Sequence, residues 1–423
     1  TNMSEELIKK VLDLNIPVVL VKGETENVNT LRPTGASGEG GKSINIPGKE
    51  PGETSHERYI VVYKDDIDTD EKTMELDKIP GFKSRHRYEK TFRGCSVTMN
   101  KGLLRQMMED PDILFLERDD LLYEQIVSKE PINLEEYTRG INTTDKAIPN
   151  WHQTITNTEI VDSDNFSQLN CYVLDTGILP NHTEFTTGQV VLSYNAIDKT
   201  NRAGDNNGHG TAVASLVGGK TVGCAKGVRL YSIKVLNSSG SGYISDIISG
   251  LNWVLINHKK PAVINMSLGG TFSSSLNTAV QNCLNSGIQV MCAAGNEGID
   301  ASNTSPANVT GALTITAYDT FKTKPTWGNW GSPIDTFAPG VSIPSAWGDD
   351  PSSYYLVNGT SFSTPIISGI VCRMLKTNPQ LTPKEIREAL SRMNKSGEII
   401  NIANLTTTPN LRAVWDVNRI TPC

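Results

Sequence analysis

The chain has 423 residues, 37% of them hydrophobic and 20% charged, with a net charge of −7, which is the balance of an ordinary folded protein with room for two domains. The negative charge and the lack of any basic block argue against a nucleic-acid binder, and no apolar run reaches the roughly 20 residues needed to span a membrane. Seven cysteines (Cys95, Cys171, Cys224, Cys283, Cys292, Cys372 and Cys423) have no metal-ligand spacing and mostly lie in apolar runs, which predicts buried free thiols.

Residues 5–14 have the pattern of a short amphipathic helix and residues 17–21 that of a strand, with no secretory apolar region among them. From Lys22 to Glu57 the composition turns to Gly, Ser, Thr, Pro, Asn and Glu, so residues 1–57 read as an N-terminal extension and linker. Residues 58–125 follow as a small α+β, ferredoxin-like unit. It has a strand at 58–64, a helix at 70–76, a strand region at 88–99, an Asn-capped helix at 100–109 and a strand at 113–119. Residues 126–150 are polar, contain Ser128-Lys129-Glu130-Pro131, and read as an exposed connection open to cleavage.

Residues 151–423 alternate apolar strands (171–174, 190–194, 229–235, 262–268, 289–294 and 312–316) with helical patterns (210–217, 243–258, 274–286, 364–377 and 383–393). Near-continuous apolar strands separated by helices predict an α/β domain with a mostly parallel central sheet flanked by helices. Active sites of such sheets gather at the carboxyl ends of the strands.

Three motifs fall at those ends. Asp175 closes the apolar run Tyr172-Val173-Leu174, His209 stands in Asn207-Gly208-His209-Gly210-Thr211 at the head of a helix, and Ser361 stands in Gly359-Thr360-Ser361 at the entrance of another. Pro365 is expected in the first turn of that last helix, where a missing N–H costs nothing. Taken alone, the motifs read more readily as a turn former, a surface histidine and a cap. Together they supply a carboxylate, an imidazole and a hydroxyl, the set that turns a weak nucleophile into an active one. Asn296, in Ala294-Gly295-Asn296-Glu297, adds a side-chain amide able to donate to a developing oxyanion.

With Ser267-Leu268-Gly269-Gly270 added, these motifs resemble the subtilisin-type serine proteases, in particular the proteinase K branch, over residues 58 to about 412. The resemblance implies a serine endopeptidase with Asp175, His209 and Ser361 as its triad, and with Asn296 and the Ser361 N–H as oxyanion donors. It implies substrate-binding strands at Gly240, Ser241, Gly242 and at Ser267, Leu268, Gly269. Ala293, Ala294 and Gly295 would line a specificity pocket for an apolar or aromatic side chain. Residues 58–125 would be an inhibitory propeptide, with self-cleavage at Gln125, Ile126 or Val127. A calcium site would use Asp335 with the carbonyls of Thr310 and Ala312, and no redox or organic cofactor is implied. The partners would be peptide and protein substrates and the chain's own propeptide, with no nucleic acid or membrane, in a monomer.

The chain departs from the family pattern at Ala212, Ser215, Phe362 and Ser363, and it lacks counterparts of the paired cysteines. Sequons at Asn265-Met266-Ser267 and Asn358-Gly359-Thr360 fall where a glycan would be ruinous, which weighs against a glycosylating compartment without fixing the location. The competing class is a catalytically silent scaffold with a permanently docked propeptide, acting as a binding or structural protein. An acid-acting sedolisin would need carboxylates in place of His209 and Asn296.

Overall fold

Apolar strands form the centre of each of the two units into which the chain divides. A computed structural model describes residues 56–139, 151–158, 166–402, 407–414, 416 and 419. The helix, strand and linker expected before residue 56, the connection at 140–150 and Cys423 lie outside these residues.

The smaller unit is an antiparallel sheet with two helices. Its elements are β1 (His56–Tyr63), α1 (Thr69–Leu76), β2 (Lys83–Tyr88), β3 (Gly94–Asn100), α2 (Lys101–Glu109) and β4 (Ile113–Arg118), with strand order β2-β3-β1-β4. Val61, Tyr63, Leu76, Leu104, Met107 and Leu116 form its core. Asp68 and Asn100 cap the helices by accepting the N–H of Glu71 and Leu103 at 2.8 and 2.9 Å. The strand region expected at 88–99 is instead two strands. β2 is polar in composition and shows its period only in the burial of His86 and Tyr88. The unit ends at Asp119, whose N–H bonds the Arg58 carbonyl at 3.0 Å and whose carboxylate holds the Arg58 guanidinium at 2.7 Å.

The larger unit takes in Asp120–Cys423 and begins with β5 (Leu121–Glu124), β6 (Ser128–Ile132), α3 (Leu134–Arg139) and α4 (Trp151–Thr156). Then come β7 (Asn170–Asp175), β8 (Val190–Asn195), α5 (His209–Gly218), β9 (Arg229–Lys234), β10 (Ser241–Tyr243), α6 (Ile244–Asn257), β11 (Ala262–Met266) and β12 (Leu268–Thr271). The rest is α7 (Ser274–Asn285), β13 (Gln289–Ala293), β14 (Thr304–Ser305), β15 (Leu313–Tyr318), β16 (Thr336–Pro339), β17 (Ile343–Ala346), β18 (Tyr354–Asn358), α8 (Thr360–Thr377), α9 (Pro383–Met393), β19 (Lys395–Ser396) and β20 (Leu411–Arg412).

The central sheet has nine strands in the order β19-β20-β16-β15-β13-β11-β7-β9-β8, all parallel except the β19 edge. From β7 the chain first builds β8 and β9 on one side, then crosses to build β11, β13, β15 and β16 on the other. That reversal opens a crevice at the carboxyl ends of β7 and β11, and Asp175 is the last residue of β7. No helix among the described residues is long and apolar enough to cross a membrane.

α8 is buried from Thr360 to Leu375 and packs on α5 and the central strands. It begins four residues earlier than its apolar run predicts. Ser361 therefore lies inside the first turn, and Pro365 lies in the helix interior, not in the first turn. An interior proline leaves the carbonyl four residues before it without its helical donor, at a cost of about 3 kcal/mol if nothing replaces that donor. Here the carbonyl is that of Ser361, and the Ser267 hydroxyl donates to it at 2.8 Å.

α9 opens with a capping box. Thr382 Oγ1 accepts the Glu385 N–H at 3.3 Å, and the Glu385 carboxylate accepts the Thr382 N–H at 2.8 Å, which sets Ile386, Ala389, Leu390 and Met393 against the core. Thr382→Ala removes one half of this box. It is expected to lower stability by about 1 kcal/mol, read as a lower urea midpoint at unchanged slope; an unmoved midpoint would show that the cap contributes nothing.

Candidate active site

The site is assembled where β7 ends and α5 begins. Asp175 Oδ1 takes the Thr176 N–H at 2.7 Å and faces His209 Nδ1 at 2.7 Å, and both side chains are fully buried. The loop carrying His209 is held by Asp205. Its Oδ1 accepts from Thr176 Oγ1 and from the N–H groups of Asn207 and Gly208, and its Oδ2 accepts from the Thr211 N–H and hydroxyl. The Gly210 N–H in turn donates to Thr176 Oγ1 at 2.9 Å. Gly210 must lack a side chain, because a Cβ there would strike the Gly177 carbonyl and crowd the Asp175 carboxylate.

Burial disfavours the charge on His209, but the Asp175 carboxylate, and after it that of Glu124, outweighs this and pushes its pKa up to about 9. Glu124 is the residue that sequence reasoning missed. One of its carboxylate oxygens is buried without a hydrogen-bond partner among the described residues, 3.9 Å from His209 Nδ1. Burial raises the pKa of Glu124.

Ser361 is brought to the same crevice, but the Ser361–His209 hydrogen bond expected from the sequence is not made. The Ser361 hydroxyl donates to the Ser267 carbonyl at 2.9 Å, and His209 Nε2 has no partner among the described residues. The reason is a competing acceptor: the Ser267 carbonyl takes the one proton of the Ser361 hydroxyl, and the protonated ring favoured by the raised His209 pKa offers no lone pair to draw it away. Asn296 is aimed by its oxygen. Oδ1 accepts the Thr360 N–H at 3.0 Å and the Thr360 hydroxyl at 2.9 Å, which leaves Nδ2 buried and without a partner among the described residues.

Residues 121–132, expected as the end of one domain and the start of an exposed connection, instead form strands. β5 is inserted antiparallel between β10 and β12, with Ser241 opposite Tyr123, Gly242 opposite Leu122, Leu268 opposite Glu124 and Gly269 opposite Tyr123. The Glu124 N–H donates to the Gly240 carbonyl at 2.9 Å and the Gln125 N–H to the Ser267 carbonyl at 3.2 Å. Both predicted backbone stretches are thus engaged by this segment.

The Gln125 carbonyl then accepts the Ser361 N–H at 3.1 Å, and β6 continues antiparallel along β18. Gly359 (φ +150°) permits this approach, because a Cβ there would strike the Gln125 carbonyl and lie 3.1 Å from the Ile126 Cα. The segment lacks an apolar period, which hid these strands, since main-chain pairing creates them. Leu122 and Gln125 are buried whereas Tyr123 is exposed.

Ala293, Ala294 and Gly295 lie buried at the end of β13, where the Gly295 N–H donates to Thr360 Oγ1 at 3.2 Å. Asp335, with Thr310 and Ala312, does not fit the cation expected there. One Asp335 oxygen holds the Arg387 guanidinium at 2.6 Å and the other accepts the Thr314 N–H at 2.8 Å, so both oxygens are engaged and a positive charge already faces the carboxylate. A hard cation wants roughly six or more oxygen ligands. Burial pushes the Asp335 pKa up to about 6 against the opposing pull of Arg387. The six described cysteines are buried and free, as predicted.

Comparison with known proteins identifies the family. Residues 171–406 match the subtilase family. The chain is 36% identical to an extracellular serine proteinase of Thermus sp. (strain Rt41A), over 81% of this chain and 86% of the relative. It is 32% identical to Proteinase R of Parengyodontium album, over 83% of this chain and 87% of that one. A crystal structure of a cold adapted subtilisin-like serine proteinase is similar with a TM-score of 0.58 at 38% identity, covering 61% of this chain and 93% of its own. Carrying the family's α/β fold and its motifs on one sheet edge, the chain belongs to the subtilases, in their proteinase K-like branch, and is a serine-type endopeptidase.

Proposed function

We propose that the protein is a self-processing zymogen whose first substrate is its own Gln125–Ile126 bond. The observation that carries this reading is the 3.1 Å hydrogen bond from the Ser361 N–H to the Gln125 carbonyl, which aims that carbonyl at the nucleophile. Once His209 is neutral, a turn of the Ser361 side chain from the Ser267 carbonyl towards Nε2 lets the imidazole take the hydroxyl proton as Oγ attacks the Gln125 carbon. His209 then returns the proton to the Ile126 nitrogen as the peptide bond breaks. Water repeats the sequence on the acyl-enzyme, freeing a new carboxylate at Gln125 and restoring Ser361. Asp175 holds the ring and balances the imidazolium formed in each step.

Asn296 fits the role of an oxyanion donor because its Nδ2 has no partner among the described residues. A donor that gains its bond only as negative charge develops lowers the barrier without tightening substrate binding. Main-chain pairing on both sides of residues 121–125 supplies affinity with little demand on sequence, which supports broad specificity towards peptides and proteins. The residue before the bond is a glutamine, whose Nε2 donates to the Tyr123 and Gly269 carbonyls at 3.1 and 3.2 Å, so polar side chains join the expected apolar ones. Leu122 is the buried anchor, in room provided by Gly270.

Purified wild type is expected to carry a new N-terminus at Ile126 by mass spectrometry, while Ser361→Ala stays a single intact chain; an intact wild type, or a cut Ser361→Ala, would overturn the reading. Asn296→Ala should lose about 10²–10³-fold in turnover, the size known for such a donor in a subtilisin; unchanged turnover would remove the amide from the mechanism. The pH dependence of self-cleavage tests Glu124. A raised pKa keeps His209 protonated until the pH approaches about 9, so the base form, and with it the cleavage rate, rises only towards that pH. Glu124→Gln removes one of the charges holding the proton and should move the midpoint to lower pH. A midpoint equal to that of wild type would show that Glu124 does not act on the ring.

A further inference from the structure

The segment that fills the crevice continues beyond the Gln125–Ile126 bond. There the Val127 N–H donates to the Asn358 carbonyl at 2.8 Å, and β6 pairs with β18, Ser128 opposite Asn358, Lys129 opposite Val357 and Pro131 opposite Tyr355. Side chains two residues apart along a strand share a face. Lys129 therefore projects on the face that also bears Tyr355. Its ammonium lies 3.9 Å from the centroid of the Trp347 ring and 5.5 Å from that of Tyr355.

The two rings are themselves in contact, with centroids 5.4 Å apart, and the Tyr355 hydroxyl donates to the Asp349 carboxylate at 2.7 Å. Trp347 is only 2% exposed. Its position is fixed from the side of the catalytic loop, since a Cβ at Gly208 would strike its ring. An aromatic face held in place, beside a second ring and a carboxylate, attracts a cation through its quadrupole and rejects an anion.

We propose that Trp347 and Tyr355 form a substrate subsite for a lysine or arginine side chain at the fourth position after the bond that is cut. The proposal rests on the reading of Gln125–Ile126 as a bound substrate bond, and it names a substrate class for the same crevice: extended peptides carrying a cation four residues downstream. The strand pairing along β18 sets the register and the aromatic pair reads one side chain in it. Lys129 is thus a built-in occupant of the subsite in the chain's own segment.

The test uses the self-processed full-length chain carrying Lys129→Met, so that its own side chain does not compete. The substrate is the peptide Leu-Tyr-Glu-Gln-Ile-Val-Ser-Lys-Glu-Pro and its versions with Arg, Met or Glu in place of Lys. The Lys and Arg peptides are expected to be cut with kcat/KM about 3- to 10-fold above the Met peptide, and the Glu peptide below it. Tyr355→Leu in the same background should reduce the Lys-to-Met ratio, whatever it does to absolute rates. Equal kcat/KM for the Lys, Met and Glu peptides, all being cut, would overturn the subsite and leave the protease reading intact. Cleavage of none of them would overturn that reading, and the subsite with it.

Discussion

The site depends on one short contact between a strand end and a helix start, the 2.7 Å hydrogen bond of Asp175 with His209, residues 34 positions apart in the chain. Both groups are fully buried, and a buried carboxylate or imidazolium is costly unless it is paired. The pairing is therefore over-determined by backbone and side chain together. Asp205 gathers the N–H groups of the histidine loop, Thr176 bridges the two segments, and Gly210 lets them approach. The switch of strand order at β7 then opens this contact to a crevice that an extended peptide can fill.

A second constraint acts on the nucleophile. Pro365 removes the helical donor from the Ser361 carbonyl, and Ser267 replaces it while its own carbonyl receives the Ser361 hydroxyl. Asn265 Nδ2 donates to Ser267 Oγ, and the Ser368 hydroxyl donates to Asn265 Oδ1, so a buried chain of hydrogen bonds ties α8 to the end of β11. A satisfied buried network of this kind fixes one arrangement, because breaking any link leaves a polar group without water or partner. The serine hydroxyl is thereby held on the Ser267 carbonyl and not on the imidazole.

Electrostatics bear on the imidazole as well. With Asp175 and Glu124 both facing it, the ring is favoured in its protonated form, which has no lone pair for the serine proton. On the proposed reading, the segment that supplies the peptide bond also supplies a charge that slows its scission, and departure of residues 121–125 would take the Glu124 carboxylate away while Asp175 stays on the ring.

The sequence carried the parallel sheet and the Asp175–His209 pair well, because near-continuous apolar strands and short Gly-flanked motifs are local signals. It carried the start of α8 poorly, since four of the five residues from Thr360 to Thr364 are polar and buried only by tertiary context, and Pro365 invited a later start. The strands at 121–132 were illegible for a related reason: their partners are edges of other strands, and an edge accepts almost any side chain. Asp205, four residues before His209 in the same loop, left a usable signal, an aspartate placed to bind the N–H groups of a helix start. The misfit at Asp335 could not be read locally, because Arg387 reaches it from a distant helix.

The most direct measurement is the mass of the adduct formed with a fluorophosphonate on the self-processed protein, mapped by peptide sequencing. A single adduct on Ser361, lost when His209 is replaced by alanine, is the expected result. A folded, self-processed protein that forms no adduct, or forms it at another serine, would contradict the convergence of Asp175, His209 and Ser361 into one catalytic unit.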